Sequence, residues 1–219
     1  MTSVRESTAA RNTPVNGDWG QAIPTEMKER DQWVVRKGKV PYSARTGQNA
    51  SSTDASTWSS YRQVTKACKR RGGYDGVGFV FSTDDPYTGV DLDHVRDPDT
   101  GEIEPEALEI LRLLNSYTEI SPSGTGVHVI VKAKVKKAIK TKQVEVYDRR
   151  RYFTMTGNRC EGAPHTIEER QQEVEGLIRS VADPSGQSDR EAPETAATGD
   201  LVLSPDAKAP EDKLVELLS

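Results

Sequence analysis

Val77-Gly78-Phe79-Val80-Phe81, Asp84-Asp85-Pro86-Tyr87 and Gly89-Val90-Asp91-Leu92-Asp93 form the stretch on which the fold turns. The first run is apolar and bounded by turn residues, which predicts a buried strand. The second has the composition of a turn. The third returns as a strand whose last residues are acidic. Residues two apart in a strand face the same side, so Asp91 and Asp93 project together, about 7 Å apart along the chain.

Outward from this pair, the pattern alternates between sheet and helix. Upstream, Glu26–Arg30 suits one helical turn, Gln32–Arg36 a strand, and Val40-Pro41-Tyr42 a short extended piece, because proline restricts the residue before it. Residues 43–55 are rich in Gly, Asn, Ser and Thr and read as a loop. A helix is predicted from Trp58 to about Arg71, capped by Ser56 or Thr57 and stopped by Gly72-Gly73. Downstream, Pro105–Ser116 carries apolar residues at helical spacing. Thr118–Ile120 and Val127–Val131 read as strands around a Gly/Ser turn. Val144–Tyr147 and Tyr152–Met155 predict a hairpin, and Thr166 to about Val181 a closing helix. The expected class is α+β with a partly antiparallel sheet.

The organisation expected is a disordered tail over 1–22, one folded domain over 23–182, an acidic flexible linker over 183–209, and the start of a helix or following domain over 210–219. Net charge is −4, but 183–219 carries nine acids against three bases, which leaves +2 on the rest. Within the domain, Lys132–Arg151 holds six Lys and three Arg against two acids, and Ser82–Glu106 holds nine acids against one Arg. A basic strip beside an acidic one suits phosphate binding next to a metal site; two solvated loops are the plainer alternative. No run of 18 apolar residues is present, Met1–Gly20 is not expected to be a secretory leader, and Cys68 and Cys160 are expected as reduced thiols. A cytoplasmic chain is expected.

Three segments can carry chemistry. Asp91 and Asp93 are hard oxygen ligands, which favour Mg²⁺ or Mn²⁺. Ser121-Pro122-Ser123-Gly124-Thr125-Gly126-Val127-His128 is a turn able to aim amides and hydroxyls at phosphate oxygens, with His128 entering the next strand. It is not a Walker loop, since no Gly-Lys-Ser/Thr follows. Glu145 lies in a strand, where it would complete a carboxylate triad with Asp91 and Asp93. Arg149, Arg150 and Arg151 follow it and, with Lys132 and Lys134, supply phosphate-binding charge. Taken singly, each segment also reads as an ordinary surface pair or turn.

In this order the three segments resemble the archaeo-eukaryotic primase superfamily, and most closely its primase-polymerase modules from phages, plasmids and other mobile elements. Trp33 with Lys39–Tyr42, and Ala50–Asp54 with Thr57-Trp58, resemble the lead-in of those modules. The resemblance spans roughly residues 24–180. It implies an RRM-like mixed or antiparallel sheet packed with a smaller N-terminal α/β subdomain, the site lying in the cleft between them. It implies that Asp91, Asp93 and Glu145 ligate catalytic Mg²⁺ or Mn²⁺. The same resemblance implies that His128 contacts the nucleotide triphosphate and that Arg151 and Tyr152 touch the nucleotide, and Lys132, Lys134, Arg149 and Arg150 of the basic strip are expected to meet nucleic acid. The superfamily places a small hydroxyl two residues before the histidine; here that position is Gly126, so Ser123 or Thr125 supplies the hydroxyl instead. The third acid is often Asp in these modules, and Glu145 is assigned by register.

The function implied is template-directed, two-metal nucleotidyl transfer on single-stranded DNA with nucleoside triphosphates, with a replicative helicase as a further partner. Two alternatives use the same residues: a non-catalytic module that binds single-stranded DNA or docks a helicase, and a metal-dependent nuclease.

Overall fold

The computed structural model describes residues 22–70 and 73–182. The expected tail, linker and C-terminal helix therefore lie outside the described residues, apart from the tail's last residue. The N-terminal part opens with one helical turn, α1 (Thr25–Lys28), whose buried Met27 offers its carbonyl to the Trp33 indole N–H at 3.0 Å. Strand β1 (Trp33–Lys37) turns back into β2 (Val40–Tyr42) at Gly38, whose φ of +55° is a left-handed conformation that glycine adopts without strain. Helix α2 spans Tyr61–Lys69, later than the sequence suggests. Ser60, not Ser56 or Thr57, is its cap: Ser60 accepts the Gln63 amide while Gln63 accepts the Ser60 amide, a reciprocal box that satisfies two otherwise orphaned donors. Ala55–Thr57 form a separate 3-10 turn capped by Asp54, and Trp58 is extended so that its ring covers Val34 and Val80.

All strand pairs are antiparallel and fall into two sheets. A four-stranded sheet has the order β2-β1-β3-β9, with β3 at Gly76–Phe81 and β9 at Arg151–Met155. A five-stranded sheet has the order β5-β6-β4-β8-β7, formed by Thr118–Ile120, Val127–Lys132, Tyr87–Leu92, Val144–Tyr147 and Ile139–Lys140. The expected hairpin between 144–147 and 152–155 does not form: β8 pairs with β4 and β7, whereas β9 pairs with β3. The chain crosses between sheets through Asp148, whose buried carboxylate takes the Val135 amide and the Arg149 guanidinium, and through Arg150 at φ +56°. A second crossing joins β3 to β4. There the buried Asp85 carboxylate accepts the Ser82 and Tyr87 amides and the Gln32 side chain. The mixed α/β architecture with two antiparallel sheets is compatible with the expected α+β class, and the sheets interleave along the chain, since β9 from the second half completes the sheet of β1, β2 and β3.

Strand alternation builds the layers. Val90, Leu92, Val127, Val129, Val131 and Val146 leave the five-stranded sheet on one face and bury against α3 (Pro105–Leu114) and α4 (Gln171–Ala182). Tyr87, Tyr117 and Ile130 belong to the other side and join Trp33, Phe79, Phe81 and Phe153 of the four-stranded sheet in a second core. Gly89 lies at this contact, where a β-carbon would fall 2.5 Å from the Phe153 ring. Helix α4 begins five residues later than Thr166, because the preceding segment is tied to β6: the Lys132 amide donates to Glu168 and Arg170 donates back to Lys132. Cys68 and Cys160 are both free. Among the described residues no helix is long and apolar enough to cross a membrane.

Candidate active site

One rung of the five-stranded sheet carries a charged side chain on every strand. Glu119 of β5 pairs with His128 of β6, His128 with Asp91 of β4, Asp91 with Glu145 of β8, and Glu145 with Lys140 of β7. Direct cross-strand partners share a face, so three acids, an imidazole and an ammonium meet on the side turned toward the four-stranded sheet. The β4–β8 ladder runs on beyond β4, with the Asp93 amide donating to the Gln143 carbonyl at 2.8 Å, which keeps Asp93 in step with Asp91.

The rung has an uneven electrostatic field. Burial raises the Asp91 carboxyl above its usual range; His128 pulls it down, and the neighbouring charges of Asp93 and Glu145 push it up again. His128 lies between two carboxylates, Nε2 3.6 Å from Asp91 Oδ1 and Nδ1 3.7 Å from Glu119 Oε1. Burial disfavours its charged form, yet Glu119 and Asp91 outweigh that and its pKa is raised. Its ring packs on Phe153 with centroids 4.9 Å apart. Glu145 has the opposite balance. Its burial is overcome by Lys140, by the Tyr147 hydroxyl at 2.9 Å and by Arg151 at 3.1 Å, which hold its carboxyl below the usual range. Arg151 also lies 4.7 Å over the Tyr147 ring. Asp91 Oδ1 and His128 Nδ1 are buried without a hydrogen-bond partner. Among the described residues no group of three or more His, Cys, Asp or Glu is drawn close enough to hold a metal ion as it stands.

The Gly/Ser turn sits at the Asp93 end of the rung. Ser121 and Gly126 close it by a 2.9 Å backbone bond, and the Ser123 and Thr125 hydroxyls lie 2.8 Å apart. Arg96, just past Asp93, donates its amide to Thr125 and its guanidinium to Gly124. At Gly126 a β-carbon would fall 2.4 Å from the Leu92 carbonyl oxygen. That contact excludes any side chain two residues before His128.

Of the residues singled out by sequence, Asp91, Asp93, His128, Glu145 and Arg151 come together, and Ser123 and Thr125 border them. Tyr152 does not join them. It lies on the other face of β9, packed with Val34, Trp58 and Val80, and its hydroxyl donates to the Lys39 carbonyl at 2.5 Å. Lys132 is four residues along β6 from His128, about 13 Å away, and pairs with Glu26 at 3.0 Å. Lys134 donates to the Ser82 carbonyl at 3.3 Å. Arg149 grips Asp148 with two bonds of 2.7 Å. Arg150 is exposed, and its carbonyl accepts the Ser52 hydroxyl. Sequence reasoning missed Glu119, which is wholly buried beside His128. Its signal was an acid inside a short strand, between Thr118 and Ile120.

No family model matches the chain. A curated relative, the DNA primase-polymerase of Nitratiruptor phage NrS-1, is 39% identical to it over 142 residues, or 60% of this chain. The match covers 20% of that relative, so the chain corresponds to about a fifth of the phage protein's length.

Proposed function

Because the chain carries a domain of the primase-polymerase type, we propose that it performs template-directed nucleotidyl transfer. In this reading a 3′-hydroxyl, or the first nucleotide's hydroxyl in priming, attacks the α-phosphate of a nucleoside triphosphate and pyrophosphate departs. The observation that carries the reading is the rung itself, where Asp91 has Glu145 on one side and His128 on the other.

The donor type suits a hard divalent cation once the carboxylates draw closer than they stand here. Its ligands are all carboxylate oxygens, and Asp91 Oδ1 is a buried acceptor with no hydrogen-bond donor. Asp91, Asp93 and Glu145 would hold Mg²⁺ or Mn²⁺, which when bound lowers the pKa of the attacking hydroxyl and stabilises the departing pyrophosphate. His128, whose raised pKa favours the doubly protonated ring, donates from Nε2 to a phosphate oxygen of the incoming nucleotide. Arg151, about half exposed, exchanges Glu145 for phosphate. Phe153 backs the imidazole and keeps water from that side. The Ser123 and Thr125 hydroxyls offer further donors at the Asp93 end. Arg150, exposed and without a side-chain partner among the described residues, is the readiest cation for template phosphates.

The partners in this reading are a single-stranded DNA template and nucleoside triphosphates. Residues 210–219, expected as the start of a helix or following domain, lie outside the described residues. The test is synthesis on a single-stranded template with Mg²⁺ or Mn²⁺, with and without a primer, comparing wild type with Asp93→Asn. Synthesis by wild type alone supports the reading. Equal synthesis by both would refute the metal assignment, and nucleotide release from DNA without added triphosphates would point to the nuclease instead.

A further inference from the structure

Glu119 has no exposed surface, and its carboxylate accepts from three donors on two segments of the chain. Oε1 accepts the Thr156 amide at 2.8 Å; Oε2 accepts the Gly157 amide at 3.0 Å and the Tyr117 hydroxyl at 2.8 Å. Thr156 and Gly157 directly follow β9, so this acid of the five-stranded sheet is oriented by the end of a strand from the other sheet. All three donors are neutral. His128 also faces this carboxylate: its Nδ1 lies 3.7 Å from Oε1 and has no hydrogen-bond partner. The opposite edge of the same ring, Nε2, faces Asp91. A ring nitrogen facing a buried carboxylate is most stable carrying a proton, and a fixed Nδ1–H sets the direction of Nε2.

We propose that Glu119 is a positioning residue for His128. It acts as the acceptor for the Nδ1 proton and locks the ring so that Nε2 is presented on the Asp91 side, where an incoming triphosphate is to be bound. The pairing stands on the geometry above; only the identity of what Nε2 meets rests on the function proposed. Glu119 is walled off behind the ring, so it acts through His128 and does not touch the nucleotide. The distance is longer than a hydrogen bond, and such contacts tighten when the opposite edge of the ring is engaged.

The experiment is imidazole ¹⁵N–¹H NMR on the full chain, which is tractable because the protein has three histidines. His94→Gln and His165→Gln spectra assign the remaining ring. In wild type at neutral pH, His128 Nδ1 is expected to carry a proton; a bare Nδ1 would overturn the proposal without any variant. In Glu119→Gln the Nδ1 resonance is expected to shift, and KM for nucleotide to rise about tenfold while kcat changes less than about threefold. Tyr117→Phe removes a donor from the same carboxylate but leaves its charge, so it should keep the wild-type Nδ1 resonance and KM. An unchanged His128 spectrum in Glu119→Gln, or the same KM rise in both variants, would reduce Glu119 to a structural tie. A wild type that shows the protonated Nδ1 and its Glu119 dependence, but no synthesis, would sustain the pairing and defeat only the polymerase reading.

Discussion

Asp91 and Glu145 are direct cross-strand partners on β4 and β8, yet their carboxyl groups are held in opposite electrostatic states. Burial and like charge raise the first, while Lys140, Tyr147 and Arg151 outweigh burial and lower the second. The pair combines one acid in want of a cation with one already held by two.

Asp91→Asn should therefore separate function from stability. The substitution removes a carboxylate that burial and two like charges oppose, at the cost of its attraction to His128. Thermal unfolding is expected to be unchanged or slightly raised, and template-directed synthesis to fall by about 10³-fold. A variant that loses activity only because it unfolds would argue against this assignment of the carboxylate.

In the proposed site Lys140 would compete with a divalent cation for Glu145; its side chain is 65% exposed. Lys140→Ala frees that carboxylate at little structural cost. The Mn²⁺ concentration giving half-maximal synthesis is expected to drop by about two- to fivefold, the range open to an exposed ion pair. A rise on metal titration would mean that Lys140 helps assemble the site.

Arg149 is expected to serve the fold more than nucleic acid, since it grips the buried Asp148 at the crossing between sheets. Arg149→Ala should lower the melting temperature by about 2–6 °C. Burial opposes ionisation of Asp148, but its bonds to Arg149 and the Val135 amide prevail and lower its pKa. The stabilisation is thus present above the unfolded Asp value near 4 and is lost as pH falls through the lower folded value. The variant should show a shallower loss of stability below about pH 4 than wild type. Arg150→Ala should leave stability alone and weaken single-stranded DNA binding, read as a shallower salt dependence.

Gly126→Ala places a methyl group against the Leu92 carbonyl, a backbone atom that cannot swing aside. The turn or the end of β4 must move, at about 1–3 kcal/mol for an overpacked site. Calorimetry should show a lower melting temperature, and kinetics a raised nucleotide KM, because the displaced segments carry Asp93 and His128. Wild-type values for both would show that the contact is relieved elsewhere.

Much of the local structure was legible because it depends on neighbours in the chain. The buried Val77–Phe81 run, the period-2 acids at Asp91 and Asp93, and the helical spacing of Leu111 and Leu114 are all readable from local pattern. The hairpin expected across residues 148–150 illustrates the limit. Two adjacent strands with a charged turn fit a hairpin locally, but Phe153 and Met155 bury against Phe79 and Val77, which commits β9 to the other sheet. The start of α2 was misplaced because Ser56, Thr57 and Ser60 can all cap, and the choice fell to the Gln63 reply and to the burial of Trp58.

The primary structure alone determined the parts of the site: alternation puts Asp91 and Asp93 on one side of their strand, and glycine at 126 permits the turn to close against it. Tertiary structure alone decided the rung. Register between β5, β6, β4, β8 and β7 follows from burying the valine face under α3 and α4 and the aromatic face against the other sheet, so no local pattern reveals that Glu119, His128, Asp91, Glu145 and Lys140 will stand in one row. A one-residue slip would have turned every one of them into the helices, and the free energy of that apolar packing is what holds five charged side chains in line.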